Sequence, residues 1–323
     1  MLTPAHTSGS ARAASVGNKT VLITGAAGFI GRHCVPAALD AGYEVHAIAP
    51  QGRQRNPQAR VYWHEADLLD PAVVSELMNS VRPSHLLHLA WITKPGVYWT
   101  SGANFEWLSA SILLFRVFFE QGGARVLGVG SCAEYAWESE DLSEVSSQLK
   151  PATIYGRCKL EASIGLETAA VSAGRSAAWA RLFFPYGPGE PVDRLIPSVI
   201  RGILKGERVE CTHGRQIRDF IFVKDVANAL MAILSSDASG AFNVGTGRGL
   251  ALREVVSTIC SRLGGEDLIE FGARAATPGD AARVVADTTR LRREIGWQPT
   301  YDIGSGIDGS ITAWREAETA GNV

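Results

Sequence analysis

The apolar run Thr20–Thr24 stops at Gly25, and two further glycines, Gly28 and Gly31, follow at three-residue intervals before a longer amphipathic stretch begins. A strand that ends in such a triplet and passes straight into a helix constrains the backbone at three points. Gly25 permits the tight turn, Gly28 lets a phosphate approach the main chain, and Gly31 lets the helix pack close against the strand. The start of that helix then aims unpaired amides at an anion. The spacing is one residue longer at its front than the GxGxxG fingerprint, and a plain strand–turn–helix junction would look similar in isolation.

The residues that follow decide in favour of the dinucleotide reading. A helix is expected over Phe29–Ala41, ended by Gly42, then strands at Glu44–Ala49 and Val61–His64, a helix at Pro71–Val81 and a strand at His85–Ala90. A helix over Leu108–Gln121 and a strand over Val126–Gly130 continue the alternation. Short apolar strands alternating with helices predict an α/β protein with a doubly wound parallel sheet, a Rossmann fold, and ligands at the carboxyl ends of the strands. Beyond Tyr186 the texture changes to Pro- and Gly-rich loops, a polar-to-apolar switch in HGRQIRDFIFVKD and an amphipathic helix in GRGLALREVVSTICSRLG. The expected division is a loose tail over 1–18, a dinucleotide-binding domain over 19–185 and a smaller mixed α/β substrate lobe over 186–323. Segments from about 220–246 are expected to complete the sheet.

Composition excludes several classes. The chain has 323 residues, 46% hydrophobic and 20% charged, enough for a large core. A formal charge of -2 gives no general attraction to nucleic acid or to an anionic membrane. Five dispersed cysteines without a CxxC pair fit reduced thiols rather than a disulfide framework or a metal site. The first 18 residues lack an apolar core and no run reaches the ~20 residues of a membrane span, so a cytoplasmic protein is expected.

The end of the second strand carries no carboxylate for a ribose 2′-hydroxyl, and Arg53 and Arg55 follow it. Arginines suit a 2′-phosphate, which favours NADP(H), with NAD(H) possible and a solvated basic loop as the alternative. Asp67 suits either an adenine amino group or a helix cap. Further on, Tyr155 and Lys159 stand four apart, on one face of a helix. A phenol titrates near ~10 unperturbed, and a neighbouring ammonium lowers that value toward the working range. Ser131, at the end of a predicted strand, can hydrogen-bond a carbonyl or hydroxyl oxygen while Tyr155 transfers the proton.

Glycine turn, serine and Tyr-x-x-x-Lys together resemble the extended short-chain dehydrogenase/reductase family, in its nucleotide-sugar epimerase, reductase and dehydratase branch. GAAGFIG, ADLLD, HLAW, GSCAEY, YGRCK, RLFFPYGPGE, RDFIFVKDVANA, FNVGTG and IGWQPT carry the likeness, in the family's order. The resemblance implies Ser131, Tyr155 and Lys159 as the catalytic set. It implies Gly25, Gly28, Phe29, Ile30, Gly31, Asp67, Leu68, Leu89 and Ala90 around the cofactor, with Lys159 also on the nicotinamide ribose. Cys132, Phe184, Arg194, Arg218 and Asp280 would face a nucleoside-diphosphate sugar. Arg218 would meet the diphosphate, with an ion pair to Asp219 or Asp225 as the alternative. A homodimer without metal is expected.

Departures from the family sort the reaction. Thr277 stands where an arginine often precedes Gly-Asp, Phe184 replaces an amide side chain, and Asn104 is only near the position of a frequent asparagine. Dehydratases place Asp-Glu where this chain has Cys132 and Ala133, so dehydration is disfavoured. Reduction of a 4-keto-6-deoxy sugar is favoured over 4-epimerisation through tightly held NAD. A non-catalytic dinucleotide binder and a reductase of small aldehydes or ketones are the remaining classes. Trp91, Trp99 and Trp107 are read as core rather than site lining, Cys132 as a small buried residue, and Leu113–Phe119 as core or a dimer face. His85 and His88, three apart on a strand, should face opposite sides.

Overall fold

The computed structural model describes residues 19–50, 52, 59–137, 141–276 and 279–319. The expected tail over 1–18, Arg53, Arg55 and Thr277 lie outside the described residues. In chain order the strands are β1 (Thr20–Thr24), β2 (Glu44–Ala49), β3 (Val61–Glu65), β4 (His85–His88), β5 (Arg125–Ser131), β6 (Ser176–Leu182) and β7 (Phe184–Tyr186). They continue with β8 (Val209–Cys211), β9 (Ile217–Arg218), β10 (Phe220–Phe222), β11 (Gly240–Val244), β12 (Leu250–Ala251), β13 (Ile269–Phe271) and β14 (Arg283–Val284). The helices are α1 (Gly31–Asp40), α2 (Pro71–Val81), α3 (Ala103–Glu120), α4 (Ile154–Ala173), α5 (Leu195–Lys205), α6 (Val223–Ser235), α7 (Leu252–Leu263) and α8 (Ile303–Thr319).

Seven strands form one sheet in the order β11-β6-β5-β4-β1-β2-β3, every neighbouring pair parallel. This is the doubly wound α/β fold expected. The order reverses between β1 and β4, so the glycine turn that leaves β1 opens at the topological switch point. One face of the sheet packs on α1 and α6, through Cys34, Val35, Ala38, Val226 and Leu230 against Val21, Ile23 and Val45. The other packs on α2, α3 and α4, where Leu114, Phe115, Phe118, Ala162 and Leu166 are buried. The Leu113–Phe119 stretch therefore lies mostly in the core. A third cluster is built from α5, α7 and α8 around Tyr186, Val199, Ile259 and Ile307.

Element ends follow local chemistry. Asp70 accepts the Ala72 amide at the start of α2, and Thr153 accepts the Gly156 amide at the start of α4. Gly174 and Gly206 end α4 and α5 in the left-handed conformation. Several boundaries shift from the sequence expectation, most by one residue, and three larger shifts stand out. β4 stops at His88 rather than Ala90, because the Leu89 and Ala90 amides both donate to Thr24 Oγ1 instead of to a strand. α3 begins at Ala103, one turn early, with the buried Asn104 amide donating to the Tyr98 and Ser101 carbonyls. α1 begins only at Gly31, since the turn runs on through Ile30.

All five cysteines are free and buried. Among the described residues no helix is long and apolar enough to cross a membrane, and no group of His, Cys, Asp and Glu could hold a metal ion. His85 and His88 point to opposite faces: His85 meets Tyr43 edge-on, while His88 meets Phe115.

Candidate active site

Ser131 closes β5, and the chain then tightens into a short 3-10 turn, Cys132–Glu134. The turn is fixed by a reciprocal cap. Ser131 Oγ accepts the Ala133 amide at 3.2 Å, and Glu134 Oε1 accepts the Ser131 amide at 2.8 Å. Glu134 is fully buried and also takes Trp179 Nε1 at 3.0 Å and Arg181 Nε at 2.7 Å. A Cβ at Gly130 would overlap the Glu134 carboxylate, so the residue before the serine has to be glycine. The S-x-x-E cap was present in the sequence as a signal for Glu134, which residue-level reasoning had missed.

α4 brings Tyr155 and Lys159 to this turn. It docks closely, since a Cβ at Gly156 would overlap the Ala133 carbonyl. Tyr155 and Ser131 line the same cleft, and Ser131 acts on the titration of the Tyr155 phenol. Its ring is walled edge-on by Tyr98 at 4.8 Å and Trp99 at 5.6 Å, and its amide donates to the Trp99 carbonyl. Burial pushes the phenol well above its ordinary range, Tyr98 adds to the rise, and the neighbouring Ser131 hydroxyl opposes it. Lys159 is 3% exposed. Its Nζ donates to the Val129 carbonyl at 2.8 Å and lies 3.8 Å from the centre of the Trp91 ring. Burial pulls the ammonium down to about 7, against an upward pull from Glu134. Cys132 is buried, its thiol pushed up to about 12, which is the state of an inert packing residue.

The glycine turn forms the far wall. Gly25 has φ +67°, and its Cβ position lies 3.0 Å from the Ala90 nitrogen. A Cβ at Gly31 would overlap the Gly25 carbonyl oxygen, and one at Gly28 would approach that oxygen to 3.0 Å. α1 starts at Gly31, and Ile30 at its N-cap supplies no side-chain cap. A bare, uncapped helix start over a cradle that side chains would fill fits a dinucleotide pyrophosphate.

One cleft of about 270 Å³ unites these groups. Gly25, Gly28, Phe29, Ile30, Gly31, Leu89, Ala90, Ser131, Cys132, Tyr155, Lys159, Phe184 and Arg194 all line it. All three tryptophans pack in or against the core, as expected, and Trp91 and Trp99 line the cleft as well. Tyr98 and Trp137 are walls that sequence reasoning missed. Asp67 and Leu68 do not line this cleft. Leu68 is buried, and Asp67 accepts the Leu69 amide while Asp70 caps the helix. Arg218 and Asp280 are also outside the lining. They pair with each other at 2.6 Å, not with Asp219 or Asp225, and the Arg218 guanidinium lies over the Phe184 ring. Asp219 is instead saturated by the Thr246 and Gly247 amides.

A doubly wound sheet with a glycine turn at its switch point and a Tyr-x-x-x-Lys helix beside it is the arrangement of an extended short-chain dehydrogenase/reductase. Residues 21–245 match the NAD dependent epimerase/dehydratase family, and the chain belongs to that family of enzymes. It is 29% identical to a UDP-glucose 4-epimerase of Azospirillum brasilense over 328 residues, covering 92% of each chain. It is equally 29% identical to a CDP-abequose synthase of Salmonella typhimurium, covering 89% of this chain and 96% of that one. Among solved structures, MoeE5 in complex with UDP-glucose and NAD is 30% identical with a TM-score of 0.82, covering 94% of this chain and 100% of the other. The preference for NADP(H) finds no support here. The family is described by NAD, MoeE5 was solved with NAD, and Arg53 and Arg55 lie outside the described residues.

Proposed function

We propose that the protein reduces a 4-keto-6-deoxy sugar of a nucleoside diphosphate, with NADH as the hydride source and Tyr155 as the proton donor. The observation that carries this reading is the convergence of Ser131, Tyr155 and Lys159 in one cleft whose walls include the aromatic side chains of Tyr98, Trp99, Trp137 and Phe184. A buried phenol held above its ordinary range is protonated at neutral pH, as a proton donor must be. Ser131 hydrogen-bonds the oxygen that gains charge, and Lys159 holds the nicotinamide ribose and favours the phenolate left behind. The cofactor, when bound, supplies a hydride to the sugar carbon. Aromatic walls favour a methyl group over a hydroxymethyl, because a buried hydroxyl without a partner is costly. Cys132 and Ala133 offer no acid–base pair for water elimination, which sets dehydration aside.

Gly25, Gly28, Phe29, Ile30, Gly31, Leu89 and Ala90 would hold the cofactor, and Arg194 and Arg218 the diphosphate. NAD(H) replaces NADP(H) in this reading because the relatives named with a cofactor carry NAD. We read the protein as a cytoplasmic homodimer. A second reading, 4-epimerisation through tightly held NAD, is favoured by the likeness to the Azospirillum epimerase.

Three experiments test the proposal. Loss of reduced-nicotinamide absorbance with a 4-keto-6-deoxy nucleotide sugar is expected. Recovery of NAD by mass spectrometry from the purified protein, with interconversion of UDP-glucose and no net oxidation, would move the assignment to the epimerase. Tyr155→Phe should lower turnover by roughly 10²–10⁴-fold while leaving cofactor binding intact, and unchanged turnover would remove Tyr155 from its role.

A further inference from the structure

Lys159 is buried on α4 with one carboxylate acting on it, Glu134, and that carboxylate is already paired with Arg181. The groups that touch the ammonium are the Val129 carbonyl on β5 and the face of Trp91. Trp91 lies three residues beyond the end of β4 and is 8% exposed. Its indole is not free to turn, because Nε1 donates to Asn104 Oδ1 at 2.8 Å. Asn104 is itself fully buried, with its amide nitrogen donating to the Tyr98 and Ser101 carbonyls. The amide of Asn104 is thus fixed in orientation by the same segment that walls Tyr155, and it presents its oxygen to the indole.

His88, the other titratable group facing Lys159 from β4, carries no competing charge. Ser111 Oγ donates to the Trp107 carbonyl and so must accept from His88 Nε2–H, leaving Nδ1 to accept from Thr24 Oγ1. Both ring nitrogens are used by the neutral imidazole, and burial holds it at about 3. From α4 itself Tyr155 faces the same space, protonated.

We propose that Trp91, oriented by Asn104, is a positioning residue for Lys159: its ring face holds the ammonium in place and in its charged form beside Tyr155. A ring quadrupole attracts a cation most strongly when both are desolvated, which is the condition of this pair. The seat is electrostatic yet contributes no group that a substrate would titrate. It rests on the proposed roles of Tyr155 and Lys159, but the titration that tests it does not depend on them.

The full-length protein is labelled with ¹³C at the lysine ε-carbon and titrated by NMR without cofactor or substrate, the Lys159 signal being identified by its loss in Lys159→Met. Trp91→Leu removes the ring and should lower the Lys159 midpoint by about one pH unit, the size expected of a desolvated cation–π contact. Trp91→Phe keeps a weaker ring face but loses the bond to Asn104, and should give a smaller shift of the same sign. In turnover toward the ketone from the alcohol, where the phenolate acts as base, the rising limb of kcat should move to higher pH in the same order. A folded Trp91→Phe and Trp91→Leu that both titrate like the parent overturn the proposal. If Trp91→Leu does not fold, a parental midpoint in Trp91→Phe alone overturns it. A shifted midpoint with no nucleotide-sugar activity in the parent would leave the seat intact and remove only the substrate reading.

Discussion

Two arginines near the cleft meet their carboxylates in different ways. Arg181, on β6, donates Nε to Glu134 at 2.7 Å with both side chains closed off, 4% and 0% exposed. Its Nη1 reaches the Tyr135 hydroxyl, which in turn donates to Asn243 on β11. Arg218, on β9, donates Nη2 to Asp280 at 2.6 Å, but Asp280 is 27% exposed. Its Nη1 goes to the Ile217 and Ala281 carbonyls. The first pair is sealed and tied to three strands of the sheet; the second has one carboxylate at the water's edge. A sealed pair is a brace, whereas a half-open pair can be exchanged for another anion.

The sharpest way to break this contrast is Glu134→Ala. It strands Arg181 without a counter-charge in the core and frees the Ser131 amide and Trp179 Nε1. Leaving one buried charge unpaired costs on the order of 3–5 kcal/mol, read as a lower denaturant midpoint. A loss below about 1 kcal/mol would mean that water reaches Arg181 and that the brace is not sealed.

Arg218→Ala should do less to the fold and more to the ligand. Its partner keeps contact with solvent, so a stability loss of roughly 1–3 kcal/mol is expected. Calorimetric binding of a nucleoside diphosphate should weaken by about tenfold or more, as for a lost charge-assisted contact to phosphate. Unchanged affinity would take the diphosphate away from Arg218 and leave Arg194, which does line the cleft, as the anchor.

The same contrast explains what could be read from the chain. The glycine turn, Ser131, Tyr155 and Lys159 were legible because spacing alone puts them at strand ends or on one helical face. The doubly wound sheet followed from alternation. The partner of Arg218 was not legible: Asp280 is sixty-two positions away and reaches it through the parallel register of β14 with β9. Asn104 looked merely adjacent to its expected place, since only the fold reveals that α3 starts one turn early and that its amide holds Trp91. Trp91 and Trp99 read as core from hydrophobicity, which cannot tell an aromatic that lines a cleft from one that lines a core. Thr24 looked like the last residue of a strand, yet it ends β4 by capturing two amides.

The smallest expected effect is also the most discriminating. Asp280→Asn keeps the shape of the side chain and removes its charge, so Arg218 retains its two carbonyl partners and loses only the competing anion. Because Asp280 is partly solvated, the fold should lose no more than about 1 kcal/mol. If the diphosphate has to displace Asp280 from the guanidinium, nucleoside-diphosphate affinity should rise several-fold in this variant even as stability falls. Opposite signs in the two measurements are what an exchangeable pair requires, since the carboxylate that helps the empty protein competes with the ligand. Affinity that falls with stability would mean that Asp280 positions Arg218 for the ligand instead, and the half-open pair would then be a brace after all.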